Sequence, residues 1–158
     1  MRPKYVWLLF AACLLSAVHA GNVTWAEHTV KVDPIDSAGI AQLIKTSDEG
    51  VIVAMAAWCL PCREELPVLV KMYDKYKGRG LKMVGISLDP GGPAAIKPIL
   101  DRAHVNFPVY WAGEKVLYDL RIQAIPLLLL IKNGSIIERI LGQIPEAFLD
   151  KKLNDLLK

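Results

Sequence analysis

Val51-Ile52-Val53-Ala54-Met55-Ala56-Ala57-Trp58-Cys59-Leu60-Pro61-Cys62-Arg63-Glu64-Glu65-Leu66-Pro67 is the stretch that decides the fold of this 158-residue chain. Residues 51–56 form an unbroken apolar run that reads as a buried strand. After Cys59 the apolar positions Cys62, Leu66, Leu69, Val70 and Tyr73 recur at three- and four-residue spacing, while Arg63, Glu64, Lys71 and Asp74 fall elsewhere. A helix packed on a sheet has that pattern, so the cysteine pair sits where a strand gives way to a helix.

That placement suggests chemistry. The unpaired N–H groups of a helix N-terminus favour an anion, and the thiolate is the attacking species in disulfide exchange. Cys59 is the expected nucleophile, and Cys62, three residues on, can resolve a mixed disulfide. Pro61 suits a first helical turn because it has no N–H to leave unsatisfied. The same pair has two other uses. Half a zinc site needs two more ligands, and beyond the first twenty residues the only histidines are His28 and His104, isolated from each other and from any local acid or cysteine. An inert structural disulfide would close so small a loop that it removes little unfolded-state entropy. The expectation is therefore redox chemistry with no metal and no cofactor.

Glu65 lies one turn after Cys62. Its carboxyl either faces the sulfurs, where it can accept or return a proton, or is a solvated surface acid beside Glu64. Trp58 is a docking surface for partners or a packing aromatic. Pro67 removes one backbone bond from the helix.

Outward from this centre, short apolar runs alternate with amphipathic stretches, as in an α/β domain. Strands are predicted over residues 28–32, 81–88, 107–111, 127–131 and 136–141. Helices are predicted over 37–44 with Asp36 or Ser37 as cap, 96–103 and 114–120. A final helix carries the stripe Ile144, Phe148, Leu149, Leu153, Leu156 and Leu157. Asp89-Pro90-Gly91-Gly92-Pro93 reads as a turn, and Asn133-Gly134 as a hairpin turn.

The N-terminus is different in character. Arg2 and Lys4 precede an apolar stretch, and Ser16-Ala17-Val18-His19-Ala20 ends in small residues, the layout of a signal peptide over residues 1–20 with cleavage after Ala20. An uncleaved membrane anchor and a lipoprotein processed at Cys13 are the alternatives. The expected mature domain, residues 21–158, loses Arg2 and Lys4, so 19 basic side chains become 17 against 16 acidic ones. That near-neutral balance gives no footprint for nucleic acid. Loss of Cys13 leaves Cys59 and Cys62 alone in an oxidising, periplasmic or otherwise exported compartment. No assembly signature appears, so a monomer is expected.

Trp58-Cys59-Leu60-Pro61-Cys62, with Ile125-Pro126 ahead of a strand, resembles the thioredoxins. Cys62-Arg63-Glu64-Glu65-Leu66-Pro67, Val84-Gly85-Ile86-Ser87-Leu88-Asp89 and the additional helix and strand before Glu114 resemble their exported TlpA and ResA relatives, over essentially all of the mature chain. The resemblance implies a three-layer fold, a central mixed sheet flanked by helices with an extra helix and strand inserted before the third core helix. It implies that Pro126 is cis, its loop against the dithiol and the backbone of Ile125 offered to a substrate polypeptide; the residues alone also allow a strand-entry proline with the trans bond that most X-Pro pairs have, and only the family match favours cis. It also matches Glu65 to the family's acidic position. Two departures stand out: Val53 occupies the place of thioredoxin's buried acid, and Leu127 follows Pro126 where relatives often have a hydroxyl.

The resemblance implies a thiol-disulfide oxidoreductase, a reductant of exported protein disulfides, including the cysteines of apocytochromes c. A reductant there draws electrons from a membrane dithiol donor. A peroxiredoxin-type peroxidase lacks support, because no Pro and Thr pattern precedes Cys59. A non-catalytic module that holds a metal or a partner chain on the same fold is the alternative, and Cys59→Ser separates the two.

Overall fold

The computed structural model describes residues 29–158; the leader expected over 1–20, Cys13, Trp25 and His28 lie outside the described residues. The order is β1 (Val32–Pro34), α1 (Ser37–Lys45), β2 (Glu49–Met55), α2 (Leu60–Tyr76), β3 (Lys82–Ser87), α3 (Pro93–Arg102), β4 (Val109–Trp111), α4 (Val116–Asp119), β5 (Leu127–Lys132), β6 (Ser135–Leu141) and α5 (Glu146–Leu156).

The strands form one six-stranded sheet in the order β1-β4-β3-β2-β5-β6. The first four are parallel, and β5 and β6 are antiparallel to their neighbours. Strand period divides the core in two. Val51, Val53 and Met55 point into a layer shared with Leu66, Leu69 and Met72 of α2, Ile96 and Leu100 of α3, and Leu149, Leu153 and Leu156 of α5. Ile52 and Ala54 point the other way, toward Ile40 of α1 and Val116 of α4. This is the mixed-sheet, three-layer α/β architecture expected, with α3 and β4 as the inserted pair. β4 occupies the slot between β3 and β1.

Local signals act as predicted at both ends of the sheet. Asp36 caps α1, its Oδ1 accepting from the Gly39 N–H at 2.7 Å. Asn133 and Gly134, with φ of 51° and 72°, make the two-residue turn between β5 and β6.

Four expectations are corrected. The first strand is Val32–Pro34 rather than 28–32, because the Val30 N–H donates to Asp101 Oδ1 at 2.7 Å and pairing with β4 begins only at Val32 opposite Val109. β4 is likewise shorter than the expected 107–111 and spans Val109–Trp111, the stretch that pairs with β1 and β3. The helix expected over 114–120 is one turn, Val116–Asp119, because Arg121 turns left-handed (φ 51°) and Ile122 N–H returns to the Leu117 carbonyl at 2.8 Å. Phe148 leaves the α5 stripe and is exposed, with Lys152 Nζ 5.3 Å above its ring.

Candidate active site

β2 ends at Met55, and the chain makes a tight turn in which the Cys59 N–H returns to the Ala56 carbonyl at 3.1 Å. Cys59 is the N-cap of α2, its Sγ accepting from the Cys62 N–H at 3.2 Å, and Pro61 lies in the first turn. The two cysteines are disulfide-bonded. Both are buried, whereas their neighbours Trp58 and Leu60 are 65% and 57% exposed. Trp58 is therefore a surface aromatic beside the redox pair.

The Ile125–Pro126 bond is cis, and Pro126 is buried. Antiparallel pairing sets Leu127 opposite Ala54, so the loop before it lies across from the end of β2, where the turn into Cys59 begins. Gly142, leaving β6, donates its N–H to the Pro126 carbonyl at 2.8 Å. Ile125 is half-buried. With Trp58, Leu88, Leu117, Ile122 and Gln123 it lines a largely apolar groove of about 320 Å³.

Glu65 is 1% exposed, unlike Glu64, which is exposed on the next position. Its Oε1 accepts from the Ile144 N–H at 3.2 Å, and its buried Oε2 meets no partner. Burial pushes the carboxyl up from the ordinary range to about 7, against a smaller opposing effect of the Ile144 N–H. The three-residue spacing puts Glu65 on the same α2 face as the buried Cys62. The surface-acid alternative does not describe it.

Asp89 reads in sequence as a turn residue at the end of a family-like stretch, yet it is 2% exposed. Its carboxylate oxygens lie 2.9 and 3.1 Å from the Ala57 N–H, and its Oδ2 accepts from Ser87 Oγ at 2.7 Å. The signal available was an acid closing an apolar run, which turn chemistry also explains. Val53, where thioredoxin has its acid, is packed in the core. His104 is exposed, in a left-handed conformation just beyond α3. Among the described residues no three His, Cys, Asp or Glu side chains gather as a metal site.

A mixed sheet with helices on both faces, a Cys-X-X-Cys pair at a helix N-terminus and a facing cis-proline loop define a TlpA/ResA-like thioredoxin-fold protein. The chain belongs to the AhpC/TSA family, whose model matches residues 37–139. It is 33% identical over 118 residues to the thiol-disulfide oxidoreductase ResA of Oceanobacillus iheyensis, a match covering 73% of this chain and 61% of that protein. To ResA of Bacillus subtilis it is 24% identical, covering 93% and 88% of the two chains. The crystal structure of a thiol:disulfide interchange protein of the thioredoxin family from Chlorobium tepidum superposes with a TM-score of 0.65 at 23% identity, over 75% of this chain and 85% of that one. The chain spans about three-fifths or less of the length of several of the curated ResA proteins it matches.

Proposed function

We propose that this protein is an exported thiol-disulfide oxidoreductase that reduces protein disulfides through Cys59 and Cys62. The observation that carries the reading is a buried Cys59–Cys62 disulfide at the α2 N-terminus, flanked by exposed Trp58 and the cis-proline loop. In the reduced protein, the Cys59 thiolate attacks a substrate disulfide, forming a mixed disulfide and releasing one substrate thiolate, which takes up a proton. The Cys62 thiol gives its proton to Glu65, and its thiolate attacks Cys59 Sγ. The second substrate thiol leaves, the Cys59–Cys62 disulfide forms, and two electrons have passed to the substrate. No cofactor enters.

The ResA relatives support thiol-disulfide exchange as the activity, and the signal-like layout of residues 1–20 supports export. Outside the cytoplasm a membrane dithiol donor restores the reduced pair, and client cysteines such as those of apocytochromes c before haem attachment receive the electrons. The test is the equilibrium reduction potential of the pair, titrated against defined dithiothreitol ratios. A value near thioredoxin's, about −270 mV, supports a reductant; one near −120 mV makes it an oxidant. The absence of a reversible two-electron couple overturns the reading, and Cys59→Ser must abolish turnover while leaving any simple binding intact.

A further inference from the structure

Of the buried carboxylates, Asp89 takes no part in that mechanism, although it is built into the active-site turn. Where the chain leaves β2, the Ala57 N–H loses its place in the sheet ladder, and an unpaired buried donor is costly. Asp89 satisfies it with both oxygens, at 2.9 and 3.1 Å. The carboxylate is itself held by Ser87 Oγ at 2.7 Å, and the Asp89 carbonyl accepts from Trp111 Nε1 of β4 at 2.7 Å. The inserted β4 thus fixes Asp89, Asp89 fixes Ala57, and Ala57 lies two residues before Cys59.

We propose that Asp89 is a positioning residue that pins the active-site turn and whose fixed negative charge disfavours the Cys59 thiolate, biasing the pair toward a reductant. This deepens the proposed oxidoreductase reading and rests on it. The sign is electrostatic: a like charge held in a buried site, bonded to the turn two residues before the thiolate, raises the cost of forming it, and a less stable thiolate favours the disulfide. The other ionisable groups around the turn are buried Glu65, exposed Arg63 and Glu64 on α2, Arg102 of α3 beside Leu60, and Glu114 on the groove wall. Among the described residues, of these groups and Asp89 only the Asp89 side chain is hydrogen-bonded to the turn.

Asp89→Asn keeps the shape of the contacts, its oxygen accepting from Ala57 and its amide donating to Ser87 Oγ, and removes the charge. Titration of the Cys59 thiolate by its ultraviolet absorbance in the reduced protein should show the acid dissociation constant rising about tenfold over wild type. At a pH where the thiolate dominates, the equilibrium with dithiothreitol should shift by up to the same factor, about 30 mV toward the oxidant. Constants within twofold of wild type in a folded Asp89→Asn protein overturn the inference, while a wild type with no reversible couple overturns the function instead. Should the variant not fold, the wild type still decides: the Asp89 carboxyl carbon resonance must inflect at the midpoint of Cys59 titration, and a flat trace there overturns the coupling.

Discussion

Glu65 carries a carboxyl into the interior of a protein whose other buried carboxylate among the described residues, Asp89, is fully engaged by donors. With one oxygen on the Ile144 N–H and the other unpartnered, its proton is held up to about 7. The folded protein therefore keeps a proton that the unfolded chain releases near the ordinary carboxylate value. The contribution of Glu65 to stability should be greatest below about pH 4.5, fall as pH rises toward 7, and level off after a loss of about 3 kcal/mol. Urea denaturation of the oxidised protein across this window checks the sign, and Glu65→Gln should flatten the slope. The same substitution should slow resolution by Cys62 on the order of a hundredfold and remove the inflection near pH 7 from the rate profile, measured by stopped-flow reduction of a protein disulfide. A slope lost without any change in rate would confine Glu65 to stability.

Among the elements, the hairpin between β5 and β6 shows how local chemistry and tertiary packing converge. Gly134 has φ of 72°, and a Cβ there would stand 2.8 Å from the Lys45 carbonyl oxygen at the end of α1. Gly134→Ala should therefore cost about 2 kcal/mol or more, while Asn133→Gly should change stability far less, both read from denaturant midpoints. Asn133-Gly134 announces this turn in sequence, as the apolar run before Cys59 announces β2 and the three- and four-residue spacing announces α2. What sequence hides is burial of residue types that ordinarily face water. Glu65 and Glu64 are adjacent acids, and the helix face shared with Cys62 together with the approach of the Ile144 backbone separates their fates. Asp89 looks like a turn former because the donor it serves, Ala57, is 32 residues away. The single turn of α4 was overestimated for a related reason: the return of Ile122 to Leu117 is a tertiary choice that periodicity does not record.

At the scale of the whole molecule, insertion and active site are one construction. β4 widens the parallel half of the sheet and holds Asp89 through Trp111, while the antiparallel half delivers Pro126 and, through the Gly142 N–H, ties the β6 exit to it. The dithiol lies in the seam with both sulfurs buried, Trp58 and Leu60 standing out on either side, and the apolar groove running along Ile122 and Ile125. A small thiol such as dithiothreitol needs only access to the sulfur. On the proposed function, a protein disulfide brings a polypeptide onto the groove, where Trp58 offers a large contact area at little entropic cost. Trp58→Ala should accordingly raise KM for reduction of a protein disulfide about tenfold with kcat little changed, since each 1.4 kcal/mol of lost contact is a factor of ten. Its equilibrium with dithiothreitol should stay at the wild-type value. Steady-state kinetics on both substrates separates the outcomes: equal losses on the two would mean that Trp58 shapes the dithiol rather than its client, and no loss on either would move client docking away from the groove.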